Sequence, residues 1–215
     1  MKLCPLCVVG SAAAVALAAV ATVNLAGAGR AEATIENDAI VAASAADAFS
    51  VDGVHSMVVF RIKHQGVAYN YGRFNKITGS FSVTKDKPEA TSIDVSVDTA
   101  SVDTANTKRD DHLRSDSFFS AKEFPALTFK SKSAKAGADG MIAVTGDLSY
   151  RGKSKEITIN VASTGFGSGR GGAQIAGVET TFEIKRSDFG DTYYVKEGAL
   201  GDDVRITVAL EGSKK

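Results

Sequence analysis

Ile93-Asp94-Val95-Ser96-Val97-Asp98 sets a pattern that much of the chain repeats. A strand sends successive side chains to opposite faces, so this alternation gives one apolar face and one wet face. The beat recurs in both directions. Towards the N-terminus, Val58, Phe60 and Ile62 interleave with Val59, Arg61 and Lys63, and a further strand is predicted from Gly72 to Thr84. Towards the C-terminus a strand is predicted from Ala126 to Ala134. After it, Ile142, Val144 and Leu148 alternate with Thr145 and Asp147, and Ile157, Ile159 and Val161 with Thr158 and Asn160. Val178, Phe182 and Ile184 stand against Glu179, Thr181, Glu183 and Lys185, and Val204, Ile206, Val208 and Leu210 against Arg205, Thr207 and Glu211. These are half-buried antiparallel strands. Ala138-Asp139-Gly140 and Tyr150-Arg151-Gly152-Lys153-Ser154 supply turn chemistry between them. Counted from Phe49 there are about eight strands, with one helical interruption from Lys108 to Ala121. Such a set either stacks as a sandwich or closes as a barrel able to hold one small ligand, and the period alone does not choose.

The interruption reads Thr104-Ala105-Asn106-Thr107-Lys108-Arg109-Asp110-Asp111-His112-Leu113-Arg114-Ser115-Asp116-Ser117-Phe118-Phe119. One reading makes it a polar latch at a cavity mouth, with Arg109 or Arg114 free for a phosphate or carbonyl headgroup. The plainer reading, favoured for any single charge, is a short helical plug. Leu113, Phe118 and Phe119 close one end of the core while the charges pair with each other and cap backbone groups.

Ahead of the strands, Lys2 precedes an uncharged Ala/Val/Leu-rich stretch, roughly Val8 to Ala26, that ends in Ala26-Gly27-Ala28 and Ala31-Glu32-Ala33. A positive start, an apolar middle and an A-x-A end predict a secretory signal peptide over 1–33, cut after Ala28 or Ala33. The plainer alternative is an uncleaved anchor, since the run approaches the ~20 residues that span a bilayer. Export places the protein in the periplasm. Cys4 and Cys7 both fall inside this segment, so the mature chain is expected to have no disulfide, thiolate metal site or thiol nucleophile. Residues 34–48 read as a flexible leader and 49–215 as one domain. Of the 215 residues, 44% are hydrophobic, and 25 basic residues balance 25 acidic ones. That composition suits a globular domain and leaves no electrostatic footprint for nucleic acid.

The domain resembles the YceI-like family of exported lipid-binding proteins. The likeness runs through Asp52-Gly53-Val54-His55-Ser56, Phe60-Arg61-Ile62-Lys63-His64-Gln65-Gly66, Gly72-Arg73-Phe74 and Gly79-Ser80-Phe81. It continues through the Asp103 to Phe119 segment, Glu123-Phe124-Pro125-Ala126-Leu127-Thr128-Phe129, Gly146-Asp147-Leu148-Ser149-Tyr150-Arg151-Gly152, Arg186-Ser187-Asp188-Phe189-Gly190 and Asp203-Val204. Two departures are a Gly-Asp-Leu-Ser-Tyr in place of the usual Gly-x-Leu-Thr-Ile, and a Gly-rich run from Gly165 to Gly177 that alters one rim loop.

The resemblance implies an all-β fold: an eight-stranded antiparallel lipocalin-like barrel with one short helical insertion. Its interior would take a polyisoprenoid or similar long-chain lipid, such as an isoprenoid quinone or a prenyl phosphate, for carriage or storage. The expected lumen is Val58, Phe60, Ile62, Ile93, Val95, Ile142 and Val144, with Val178, Phe182, Ile206 and Val208 and the aromatic Phe118, Phe119 and Phe129. A tail of about 20 buried carbons would gain on the order of 16 kcal/mol gross before ordering costs. Candidate headgroup contacts are His55, His64, Arg109, His112 and Arg186. The plainer reading of Arg186 is an Arg that ties down an Asp-capped turn.

No cofactor and no metal is expected. His55 and His64 stand at the two ends of one strand, roughly 30 Å apart, too far to share an ion. No Gly-x-Ser-x-Gly or His-Glu-x-x-His occurs, and Gly167 to Gly172 lacks the Lys-Ser/Thr ending of a phosphate loop and reads as a hairpin connection. The alternative to a carrier is a periplasmic stress protein or enzyme on the same barrel, its cavity packed or catalytic. A transient membrane contact and a homodimer both remain open on the sequence.

Overall fold

The structure, a computed structural model, describes residues 48–84 and 86–214. The expected signal peptide, and all of the expected leader except Ala48, lie outside the described residues. Ala48 opens β1 (Ala48–Val51), followed by β2 (Met57–His64), β3 (Ala68–Phe74), β4 (Ile77–Ser82), β5 (Ser92–Asp98) and β6 (Val102–Asp103). Helix α1 (Thr107–Arg114) precedes β7 (Ala126–Ala136), β8 (Ile142–Tyr150), β9 (Lys153–Ser168), β10 (Gln174–Lys185) and β11 (Leu200–Lys214). Every strand pairing is antiparallel.

Three staves are each made of two pieces. β1 and β2 run along the same strand β11, β3 and β4 continue one another beside them, and β5 and β6 continue one another beside those. With β7 to β11 this makes eight staves, and the pairing of β1 and β2 with β11 closes the sheet into a barrel. Closure answers the choice that periodicity left open, because no edge of the eight has to find cover.

Local chemistry explains the breaks. Asp52 Oδ1 accepts the Val54 N–H at 2.8 Å, an Asx turn that separates β1 from β2. Asp98 accepts the Ala100 N–H at 2.9 Å and caps the single 3₁₀ turn between β5 and β6. Arg151 and Gly152 both have positive φ, 50° and 70°, which matches the mirror-image turn a two-residue hairpin needs between Tyr150 and Lys153.

The barrel is solid at one end. Phe49, Phe81, Val83, Ile142, Val144 and Ala176 are all buried there, and Phe49 stacks on Phe81 with ring centroids 5.6 Å apart. The other end is crossed by α1 with the turns after it, and by the segment between β10 and β11. Asn106 caps α1 by accepting the Arg109 N–H at 3.0 Å. The helix stops at Arg114, well short of the expected Ala121. Ser115 Oγ donates to the His112 carbonyl at 2.6 Å, and the Phe119 and Ala121 N–H groups turn back to Leu113 and Arg114. The run Ser115-Asp116-Ser117 offers the backbone hydrogen-bond partners outside the helix, which is why the helix ends there. The Gly-rich run departs from expectation as well. β9 and β10 extend into it as paired strands as far as Ser168 and Gln174, and their hairpin lies at the solid end, away from any cavity rim.

Candidate functional site

Above the solid end the inward faces of the strands do not meet. They enclose a cavity of about 750 Å³. Its walls include Val58, Phe60 and Ile62 of β2, Ile93 and Val95 of β5, and Phe129 of β7. Val178 and Phe182 of β10 and Ile206 and Val208 of β11 complete that side. Leu113, Phe118 and Phe119 close it from above. Phe119 lies edge-on to Phe74 and Tyr150, with centroids at 5.3 and 5.9 Å.

Twelve of the fourteen expected lumen residues therefore line the cavity, and two do not. Ile142 and Val144 point inward as the alternation requires, but at the height of the solid end. Val144 has 0% exposure, so its methyls meet packed neighbours and no open space. The alternation gives the face of a strand, not the height along it.

The polar lining gathers near the opening. His64, Gln65, Asn70 and Tyr194 border it, with Arg109 and His112 on the side of α1. Arg109 donates from Nε to Thr104 Oγ1 and from Nη2 to the Thr104 carbonyl, both at 2.7 Å. Asp110 is buried and accepts from the Thr104 N–H at 2.9 Å and its hydroxyl at 2.5 Å. Arg114 donates to the Ala100 and Val102 carbonyls, so its charge fixes β6 and does not line the cavity. His112 packs edge-on against Phe118 and Tyr193, at 5.0 and 5.6 Å. His55 sits at the other end of the barrel. There it accompanies Asp52 Oδ2 at 2.8 Å and Glu211 Oε1 at 3.9 Å, an exposed cluster that staples the β1–β2 turn to β11. The Asp52 carboxylate raises the His55 pKa, and its hydrogen bond to His55 in turn holds Asp52 below the ordinary carboxylate value.

Arg186 occupies the wall with 3% exposure. It donates to Asp191 Oδ1 at 2.6 Å, to the Tyr193 carbonyl at 2.6 Å and to the Gly201 carbonyl at 2.9 Å. Tyr150 donates its hydroxyl to Asp191 Oδ2 at 2.7 Å, and burial, with the neighbouring carboxylate, pushes the Tyr150 pKa far up. Arg186 thus ties the chain between β10 and β11 into the barrel, through Asp191. The turn's own Asp188 is instead paired with Lys155 on the surface. Deeper in the lumen, Thr180 donates its hydroxyl to the Asn160 carbonyl. Among the described residues, the two buried side-chain polar atoms without a partner, Arg61 Nε and Thr91 Oγ1, belong to residues outside the cavity lining.

Residues 49–212 match the YceI-like domain family. The chain belongs to the YceI-like family. A UPF0312 protein of Pseudomonas aeruginosa is 37% identical to this YceI-like chain over 164 residues, covering 76% of this chain and 84% of the relative. Among solved structures, Burkholderia cenocepacia BcnA aligns with a TM-score of 0.66 and 25% identity, over 75% of this chain and 99% of BcnA. A polyisoprenoid binding domain from Saccharophagus degradans shares the fold, with a TM-score of 0.60 at 17% identity over 78% of this chain and 98% of that one.

Several lining residues of this YceI-like barrel fall outside the expected set. Leu148, Val161 and Val204 already stand on the apolar side of the alternation, so their inward face was legible although they were not assigned to the lumen. Asn70 and Tyr71 of β3 and Tyr194 and Ala199 of the β10–β11 connection carry no such signal. The β2–β3 ladder places Asn70 and Tyr71, and the Gln65 N–H bonds the Ala199 carbonyl at 2.9 Å, which brings the β10–β11 connection to the same hairpin.

Proposed function

We propose that this protein binds a polyisoprenoid or similar long-chain lipid inside its barrel, as a carrier or store. The observation that carries the reading is a lumen walled by branched and aromatic carbon and open at one end, in which each buried polar group already has a protein partner. A ligand that enters gains nothing by bringing polar atoms along its length. It gains roughly 0.8 kcal/mol for each methylene removed from water. At the ~30 Å³ that one water occupies in the liquid, close to the share of a methylene, the cavity has room for about 25 carbons, or about five isoprene units. A longer tail keeps its remainder at the opening, beside His64, Gln65 and Asn70. The likeness to a polyisoprenoid binding domain supports this chemistry. Binding is favoured over catalysis because the buried ionisable groups in the wall, Arg186, Asp191 and Tyr150, are engaged with one another.

The apolar N-terminal stretch supports export and a periplasmic site of action. Amino-terminal sequencing of the exported protein is expected to begin at Gly29 or Thr34; retention of Met1 would make the segment an anchor.

Native mass spectrometry and solvent extraction of protein purified without detergent test the ligand. A long-chain lipid is expected to accompany the wild type, and Phe182→Asp and Ile206→Asp are expected to lose it, because a charge in a dry lumen cannot be paired. A wild-type protein that is empty and takes up no added polyprenol overturns the reading.

A further inference from the structure

The outer side of the same wall holds a second concavity. Arg61 of β2 stands directly opposite Arg205 of β11 in the register, and opposite Tyr71 of β3 on its other side. Two like charges facing one another across a ladder destabilise it, so their juxtaposition calls for a compensating anion. No carboxylate of the protein forms an ion pair with either guanidinium among the described residues. Among the described residues the Arg205 side chain makes no hydrogen bond or ion pair, and Glu183, its cross-strand neighbour on β10, lies beyond ion-pair distance. Arg61 Nε is buried without an acceptor, while its guanidinium lies 4.2 Å over the Tyr69 ring. Arg61, Arg205, Tyr71 and Thr207 line a shallow pocket of about 190 Å³.

The surroundings are those of a membrane interface. Tyr69 and Tyr71 are 47% and 59% exposed, and Val67, at the tip of the turn between β2 and β3, is 84% exposed. Lys63 lies 5.7 Å from the Tyr69 ring and has no ion-pair partner among the described residues. Exposed aromatics beside unpaired cations suit the headgroup layer of an anionic bilayer. This face also adjoins the cavity, since Tyr71 lines both the surface pocket and the lumen, and Gln65 and Asn70 flank the opening on the same hairpin.

We propose that the outer face of β2, β3 and β11 docks on an anionic phospholipid bilayer, with Arg61 and Arg205 gripping a lipid phosphate and Val67, Tyr69 and Tyr71 lying in the interface. The guanidinium pair suits a phosphate, which offers several acceptor oxygens to forked donors. Docking in this way rests on the lipid-binding reading for its purpose: it sets the cavity opening against the membrane, so that a tail passes between bilayer and barrel without crossing water.

Vesicle co-sedimentation of the full chain tests the proposal, using phosphatidylcholine vesicles with and without phosphatidylglycerol. The apolar N-terminal segment is common to all variants and cancels in the comparison. The wild type is expected to prefer the anionic vesicles and to lose that preference in high salt. R61Q/R205Q is expected to weaken anionic-vesicle binding about 25-fold, about five-fold for each cation removed, and to leave binding to neutral vesicles unchanged. Lys63→Gln, which removes a surface amine and no packed group, is expected to weaken it about five-fold even if the double variant fails to fold. Equal binding to both vesicle types overturns the proposal, as does an unchanged affinity of Lys63→Gln or of a folded R61Q/R205Q. Displacement of the wild type from vesicles by millimolar inorganic phosphate overturns it in favour of a free-phosphate pocket. Solvent extraction of the same samples separates the two readings. Variants that lose vesicle binding should still yield the cavity lipid. A wild type that binds vesicles but is empty and cannot be loaded sinks the cavity reading alone.

Discussion

Arg186 is held by two backbone carbonyls and the Asp191 carboxylate, which Tyr150 caps from the other side. Removing one partner of a buried pair strands the other charge, so Arg186→Met is expected to cost about 3 kcal/mol in urea denaturation. Replacing both partners, as in R186M/D191L, should recover most of that loss; a double variant no better than the single one would show that the backbone carbonyls matter more than the charge. At Gly72 the deciding factor is space. The Phe60 ring lies across this glycine, and a Cβ there would collide with the ring and come within 2.8 Å of Thr104 Cγ2. Gly72→Ala is therefore expected to push Phe60 into the lumen, cost about 1 to 3 kcal/mol and reduce the amount of lipid extracted. Neither effect was legible in the sequence. Arg186 appeared there as a candidate headgroup contact or as a turn tie, and only the position of Asp191 shows that the tie is the role its donors fulfil.

Two elements close the open end, and each hangs on a few polar contacts. The side-chain cap from Asn106 holds the first turn of α1, and Arg151 ties the β8–β9 hairpin to the Asp116 and Phe118 carbonyls beneath it. Asn106→Ala is expected to cost about 1 kcal/mol and to speed lipid release, measured by transfer to acceptor vesicles, since Leu113 and Phe118 move with the helix. The β10–β11 connection depends on Asp202, which accepts from the Ser187 N–H and hydroxyl at 2.9 and 2.8 Å. Partial burial raises its pKa, but these hydrogen bonds and the charges of Lys185 and Arg186 outweigh that and hold it below 3.8. A carboxylate whose folded pKa is depressed stabilises the fold above the unfolded value, and that contribution fades as pH falls through the folded one. The melting temperature of the wild type should therefore exceed that of Asp202→Asn at pH 6 and converge on it in acid below about pH 4; a constant gap would show that the carboxylate's charge is not what holds the turn. The helical insertion was legible as an element, because Leu113, Phe118 and Phe119 needed an apolar surface. Its end at Arg114 was not, since it follows from Ser115 folding back on His112.

At the scale of the molecule, one barrel carries two kinds of interior, and equal substitutions should tell them apart. Val144 and Val208 both face inward, the first with 0% exposure in the solid end and the second on the cavity wall. Val144→Ala is expected to cost about 2 kcal/mol because it opens a void among packed neighbours, and Val208→Ala under about 1 kcal/mol because that side chain already borders empty space. Equal losses in urea denaturation would mean that the cavity is filled in solution by the protein itself. The sequence by itself determined one strand for each of the eight staves, their inward faces and the family, because alternation is a local property and the matching motifs run through nearly the whole domain; it read Gly72 to Thr84 as one strand where the chain breaks between β3 and β4, and it missed β1 and β6. Ile93, Val95, Phe182 and Ile206 could be assigned to the interior with no knowledge of their partners. Tertiary structure alone decided that the sheet closes, how high each inward residue sits and therefore whether it meets a neighbour, as Val144 does, or a hollow, as Val208 does. Those outcomes depend on stagger between strands far apart in the chain, to which a period of two residues is blind.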